Sequence, residues 1–166
     1  MRLFIAVDLP LDVKNSLELL KPFVKGRLVK KEHMHVTLKF LGEVGDEKVP
    51  RIISSLKEIS FPAFRVKLAK AGAFPDERRA RVVWVSAEPQ EPLKKVKELV
   101  DRALPDFPDD KPFHSHITLA RCNQDDLRDE IKALNSKLVR NEFLVSKITL
   151  YKSTLTPQGP VYERLL

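Results

Sequence analysis

Two four-residue segments of this chain read alike: His35-Val36-Thr37-Leu38 and His116-Ile117-Thr118-Leu119, 81 residues apart. Each is preceded two residues earlier by another histidine, His33 or His114, so all four histidines fall into two His-x-His pairs. Residues 33–40 alternate, with Met34, Val36, Leu38 and Phe40 on one face and His33, His35, Thr37 and Lys39 on the other. That is the period of a half-buried strand, on which His and Thr of one tetrad point the same way. Residues 113–120 read as a second such strand. A chain that carries the same polar strand face twice is expected to build two similar halves and to bring the two faces to one centre.

The remaining pattern fits that expectation. Residues 2–8 are apolar between Arg2 and Asp8 and read as a strand buried on both faces. Pro10 opens a helix with Val13, Leu17, Leu20 and Val24 inward, and Gly26 is its expected stop. Asp46 is a candidate N-cap for a helix carrying Val49, Ile52, Ile53, Leu56 and Ile59, with Pro50 early enough to be tolerated. Residues 61–74 and 80–87 read as two strands around Pro75-Asp76-Glu77-Arg78. Residues 91–104 form another amphipathic helix, followed by a Pro/Asp-rich loop from Pro105 to Pro112. Asn123 is expected to cap a helix with Leu127, Ile131, Leu134 and Leu138 inward. Residues 142–151 and 161–165 read as closing strands. Hairpin-like pairs and irregular alternation favour an α+β fold with antiparallel sheets over a doubly wound parallel sheet.

Composition narrows the function classes. At 166 residues the chain suits one compact domain or two intimately packed lobes. No apolar run approaches the ~20 residues needed to span a bilayer. The opening segment is too short for a signal peptide and meets an acid at Asp8, so a cytoplasmic location is expected. The single cysteine, Cys122, excludes an internal disulfide and a Cys-only zinc site, and is expected to be a packed thiol. The formal net charge of +7 makes an anionic partner plausible without identifying one. Only five Gly are present and none forms a phosphate-binding loop, so no nucleotide cofactor is expected.

The duplicated tetrad suits phosphodiester chemistry. One imidazole can take a proton from the attacking oxygen while the other protonates the leaving oxygen. Histidine fits both tasks because its ordinary pKa of about 6.5 lets both protonation states coexist near neutrality. Thr37 and Thr118, two residues along, can donate to phosphoryl oxygens. Arg121 offers paired N–H donors to a phosphate, but in a regular strand it has the wrong parity to share a face with His116 and Thr118. It reaches the site only if the strand ends or bulges near Ala120. Two His-x-His pairs could instead ligate zinc or iron. Neither tetrad carries the usual accompanying carboxylate, and a metal would leave the repeated Thr unexplained. Lys39 is expected to be solvated, and Phe40, Phe74 and Trp84 to pack in the core. Arg78, Arg79 and Arg81 form a basic patch near a turn that could touch an RNA backbone.

At these residues the sequence resembles the two-histidine phosphoesterase superfamily. Within it, the chain is similar to the bacterial and archaeal RNA 2',3'-cyclic phosphodiesterases, also called 2'-5' RNA ligases. The resemblance runs nearly end to end, through Arg2-Leu3-Phe4-Ile5-Ala6-Val7, His35-Val36-Thr37-Leu38-Lys39-Phe40-Leu41-Gly42, Gly72-Ala73-Phe74-Pro75, Val82-Val83-Trp84-Val85, His116 to Arg121, and the closing Ser153-Thr154-Leu155 with Gly159-Pro160-Val161-Tyr162. It implies one bilobal domain over residues 1–166, with two pseudo-symmetric lobes, each an antiparallel sheet with outer helices, around a central cleft. It further implies that His35 is the proton donor, that His116 is the proton acceptor, and that Thr37, Thr118 and Arg121 contact phosphate. The implied substrate is RNA with a 2',3'-cyclic phosphate end, opened to a 2'-phosphomonoester without metal or cofactor, and joined to RNA in the reverse direction. A monomer would suffice, since the cleft lies within one chain. The resemblance gives His33 and His114 no role. A non-catalytic RNA-binding module and a hydrolase of small cyclic nucleotides are the competing readings.

Overall fold

The structure, a computed structural model, describes all 166 residues. Nine strands and four helices follow in the order β1 (Arg2–Asp8), α1 (Leu11–Glu18), β2 (Arg27–Leu28), β3 (His35–Glu43), α2 (Val49–Lys57), β4 (Phe64–Phe74), β5 (Ala80–Glu88), α3 (Gln90–Ala103), β6 (His116–Asp125), α4 (Arg128–Lys137), β7 (Glu142–Val145), β8 (Thr149–Thr156) and β9 (Gly159–Arg164). All pairings are antiparallel, and the strand order is β7-β4-β5-β6-β3-β1-β8-β9, with β2 added alongside β6. The fold is α+β, as the hairpin-rich pattern requires.

The order reads the same from either end. β6, β5, β4 and β7 in one half correspond to β3, β1, β8 and β9 in the other. The halves meet where β3 lies beside β6, through the register pair Val36–Ile117. These are the apolar residues inside the two tetrads, and both are fully buried. The seam therefore aligns the tetrads directly. A continuous apolar core of 36 residues underlies both halves, from Leu3, Ile5 and Val7 on β1 to Val83 and Val85 on β5.

The helical stripes are buried as their periodicity demands: Val49, Ile52 and Leu56 on α2, Leu93, Val96 and Val100 on α3, Ile131 and Leu134 on α4. Asn135 of α4 fastens that helix to β4, its side-chain oxygen accepting from the Ala71 N–H at 2.9 Å and its amide donating to the Ala71 carbonyl at 3.1 Å. Ala71 adjoins a break in the β4–β5 register, where the ladder leaves backbone groups to be satisfied otherwise. Neighbouring Gly72 must be glycine, because a Cβ there would lie 2.5 Å from the Trp84 ring that crosses it.

Several boundaries differ from expectation. α1 ends at Glu18, and Leu20 is buried from the turn that follows rather than from the helix. Gly26 is not a helix stop. Its φ of +106° and a would-be Cβ 2.5 Å from the Arg121 carbonyl show a glycine demanded by close approach to β6. Asn123 caps nothing, since β6 runs on to Asp125 and α4 starts at Arg128. Residues 142–151 hold two strands, β7 and the start of β8, because they pair with different partners, β4 and β1.

Candidate active site

The feature that builds the site is a bulge repeated in both halves. On β3, Thr37 pairs with Ala6 and Lys39 with Ile5, leaving Leu38 as an extra residue. On β6, Thr118 pairs with Trp84 and Ala120 with Val83, leaving Leu119 extra. An extra residue reverses the side-chain parity beyond it. So after His and Thr have faced the cleft, the strand turns the next two residues inward and returns the one after them. Arg121 reaches the cleft by this route, the condition stated from its parity. The same shift overturns two expectations for β3. Lys39 is 1% exposed rather than solvated, and Phe40 is 68% exposed rather than packed in the core.

A cleft of about 370 Å³ lies between the halves. His35, Thr37, His116, Thr118 and Arg121 all line it, together with His33, His114, Phe4, Phe40, Phe74 and Tyr162. All five residues singled out from the sequence thus converge on one cavity.

The two central histidines are held alike. His116 Nδ1 lies 2.8 Å from the His114 carbonyl, an acceptor only, so Nδ1 carries the hydrogen and Nε2 presents its lone pair. His35 is likewise bonded to the backbone of His33. Its Nε2 lies 2.9 Å from the Thr37 hydroxyl. The preceding histidine of each pair thus orients the second through its backbone, a role its imidazole does not enter.

Their surroundings differ. Phe4 stacks on His35 with ring centroids 5.0 Å apart, and Tyr162 meets it edge-on at 5.8 Å. Burial pushes the His35 pKa down to about 4, against the upward pull of the His33 carbonyl and of Asp8, its register partner on β1. Phe74 meets the His116 ring edge-on at 5.1 Å. Burial also lowers the His116 pKa, and the Arg121 charge pushes the same way. In the free protein both imidazoles are therefore neutral at pH 7.

Supporting groups escaped the sequence reading. The Gln90 side chain, at the start of α3, grips the backbone between His114 and His116: its oxygen accepts from the Ser115 N–H at 2.7 Å and its amide donates to the Ser115 carbonyl at 3.2 Å. The Ser115 hydroxyl donates to the Ala87 carbonyl at 2.7 Å. Asp8 accepts from the hydroxyls of Tyr151 and Thr149 and from Arg164. At the cleft wall the Lys39 ammonium pairs with Asp101 at 2.6 Å, Lys97 with Asp101 at 2.7 Å and with Asp109 at 3.1 Å. One signal could have found Phe40: it stands in its tetrad's frame where Arg121 stands in the other, so the bulge needed for Arg121 implied its exposure as well.

The other candidates lie apart. Trp84 is buried, as expected, while Phe74 rests against His116 at the cavity wall. Arg78 and Arg79 sit exposed on the β4–β5 turn, their backbone N–H groups bonded to Asp76. Cys122 is half-buried with its thiol against the Lys25 carbonyl.

Residues 9–156 match the family model described as the 2'-5' RNA ligase superfamily. The chain is 36% identical to the RNA 2',3'-cyclic phosphodiesterase of Methanocaldococcus jannaschii, over 98% of this chain and 97% of that one. It is 35% identical to the protein of the same name from Archaeoglobus fulgidus, over 99% and 98%. Among solved structures, a Thermus thermophilus protein superposes with a TM-score of 0.85 at 32% identity, covering 100% of this chain and 96% of that one. Escherichia coli LigT complexed with 3'-AMP superposes with a TM-score of 0.82 at 28% identity, covering 99% and 95%.

Proposed function

We propose that this chain, which belongs to the 2'-5' RNA ligase superfamily, hydrolyses 2',3'-cyclic phosphate ends of RNA, with His35 as general acid and His116 as general base. The observation that carries this reading is the convergence of both His-x-Thr pairs and Arg121 on one cleft at the seam of the sheet. The names of the full-length relatives supply the substrate class.

In the proposed reaction the phosphate sits between the imidazoles, with Thr37, Thr118 and Arg121 donating to its non-bridging oxygens. Water attacks phosphorus opposite the 3' oxygen and gives its proton to His116 Nε2. The P–O3' bond breaks as His35 delivers a proton to O3', leaving a 2'-phosphomonoester and a 3'-hydroxyl. Both histidines are neutral in the free protein, so the acid must gain its proton as substrate binds. The phosphodiester anion supplies the reason, since a negative charge beside a buried imidazole favours its charged form. The exposed Phe40 ring offers a face on which a base can stack. Every group used belongs to this one chain, so the reading needs one domain, one copy and no metal. Ligation would use the same two imidazoles in the opposite direction, and a cytoplasmic site of action suits an RNA substrate.

The test is turnover of an oligonucleotide ending in a 2',3'-cyclic phosphate, with the product identified by phosphorus NMR. The expected product is the 2'-phosphate. His35→Ala and His116→Ala should each cost about 10²–10⁴-fold while retaining the native circular dichroism. Full activity in either variant, or a 3'-phosphate product, would overturn the scheme.

A further inference from the structure

Two lysines and two aspartates form one ion cluster on the cleft wall. The Lys39 ammonium on β3 and the Lys97 ammonium on α3 donate to the same oxygen of Asp101, at 2.6 and 2.7 Å. Lys97 also donates to Asp109 at 3.1 Å. Lys39, Lys97 and Asp109 all line the cavity.

The four members are not held alike. The side chains of Lys39 and Lys97 are 0% and 6% exposed, and Asp101 is fixed on α3. Asp109 instead stands in the loop that follows α3. Phe107 and Phe113 pack against the core at either end of that loop. Between them, residues 108–112 make a single hydrogen bond to the rest of the protein, the one that Asp109 accepts from Lys97. The side chain of Asp109 is 30% exposed, so solvent already reaches it.

Charge makes Asp109 the exchangeable member. Without it two ammonium groups share one carboxylate, and Lys97 keeps buried donors and no second acceptor. A buried net positive charge demands an anion, but the anion need not come from this loop. Lys111 brings a further ammonium-bearing side chain to the same cavity. RNA carries a suitable anion next to its cyclic end: the phosphate that joins the terminal nucleotide to the one before it. Like a carboxylate, it is a monoanion with two charged oxygens, and ammonium groups bind it as point charges.

Resting on the cyclic-phosphate reading above, we propose that Asp109 is a stand-in for the internucleotide phosphate of RNA, which displaces it from Lys97 and is held there by Lys97 and Lys111. The exchange is anion for anion, so the buried cluster keeps its charge while the Asp109 carboxylate moves into water. The subsite recognises the chain behind the reacting end and so favours an RNA end over a single nucleotide.

The test compares two dinucleotides ending in a 2',3'-cyclic phosphate, one with the natural internucleotide phosphate and one with an uncharged methylphosphonate in its place. The readout is the ratio of their kcat/KM values within each variant, in which any general loss of activity cancels. The native protein should favour the phosphate about tenfold, as a charged hydrogen bond warrants. Asp109→Asn removes the competing anion and should raise that ratio a further three- to fivefold or so, about the worth of one partly exposed ion pair. Lys97→Met should bring the ratio to about one. Asp109→Asn changes only a side chain at the surface of the loop and leaves Lys97 paired with Asp101, so it decides the matter by itself if Lys97→Met proves unfolded in a thermal melt. A ratio near one in the native protein, or a ratio that Asp109→Asn lowers or leaves unchanged, would overturn the inference and leave the proposed function standing. Absence of turnover of both dinucleotides and of a nucleoside 2',3'-cyclic phosphate by the native protein would overturn the proposed function itself.

Discussion

The two central imidazoles share a sequence motif and a backbone tether but sit in different fields. His35, under Phe4 and Tyr162, is pushed down to about 4, and burial also lowers His116. The unfolded chain takes up a proton on His35 near pH 6.5, the folded chain only near 4. Between those values the unfolded state binds more protons, so stability rises with pH across that window. The contribution is whole above about pH 6.5 and is lost as pH falls toward 4; His116 acts in the same direction. The urea midpoint is expected to fall as pH drops through this range, and His35→Gln should flatten the fall. An equally steep dependence in that variant would show that His35 is not its source. Catalysis carries a companion expectation. kcat/KM reports the free protein and kcat the complex, and bound phosphate raises both imidazole pKa values. The kcat profile should therefore lie at higher pH than that of kcat/KM; coincident profiles would contradict the proposed placement of the phosphate.

At the scale of the element, one extra residue per strand determines what each tetrad presents. His35, Thr37, His116 and Thr118 were legible from alternation, because a regular strand preserves parity up to the bulge. Arg121, Lys39 and Phe40 lie beyond it, and their placement depends on pairing with β1 and β5 that alternation does not encode. Lys39 shows the energetic consequence. Its ammonium is buried and paired with Asp101, which also holds Lys97. Removing the carboxylate strands a buried cation, whereas removing the Lys39 charge leaves Asp101 still paired. Asp101→Asn should accordingly destabilise by about 3 kcal/mol, and Lys39→Met by about 1 kcal/mol or less, since an apolar chain of similar length refills the space. Denaturant unfolding checks the order; a costlier Lys39→Met would mean that its charge does more than neutralise Asp101. Gln90 illustrates another limit of local reading. Its grip on Ser115 spans 25 residues of chain, and nothing in its neighbours marks it.

Across the whole molecule, the strand order β7-β4-β5-β6-β3-β1-β8-β9 places the seam, and with it the cleft, between two copies of one arrangement. No helix is long and apolar enough to cross a membrane. No group of three or more His, Cys, Asp or Glu stands together as a metal site, and the proposed chemistry uses none. EDTA should therefore leave turnover unchanged; loss on chelation with recovery on adding zinc would require a different scheme. The net charge of +7 acts on the substrate at longer range. An oligonucleotide releases more counterions on binding than a mononucleotide does. Raising salt should increase KM for an oligonucleotide end more than for a nucleoside 2',3'-cyclic phosphate, with little effect on kcat. Equal salt dependence would indicate that only the terminal nucleotide is engaged.

The sequence by itself determined the α+β class, the apolar stripes of the helices and the four residues of the paired tetrads. These depend on periodicity, hydrophobic burial and duplication, which are local properties of a chain. Only the tertiary structure decided that Lys39 is buried, that Phe40 and Arg121 both reach the cleft past their bulges, that Gln90 holds Ser115, and that different rings close over His35 and His116. Each of these depends on which strands pair, in what register, and which distant side chains the pairing brings near. The repeated tetrad names the chemistry twice in nearly the same words; the neighbours supplied by the fold make the two copies unequal.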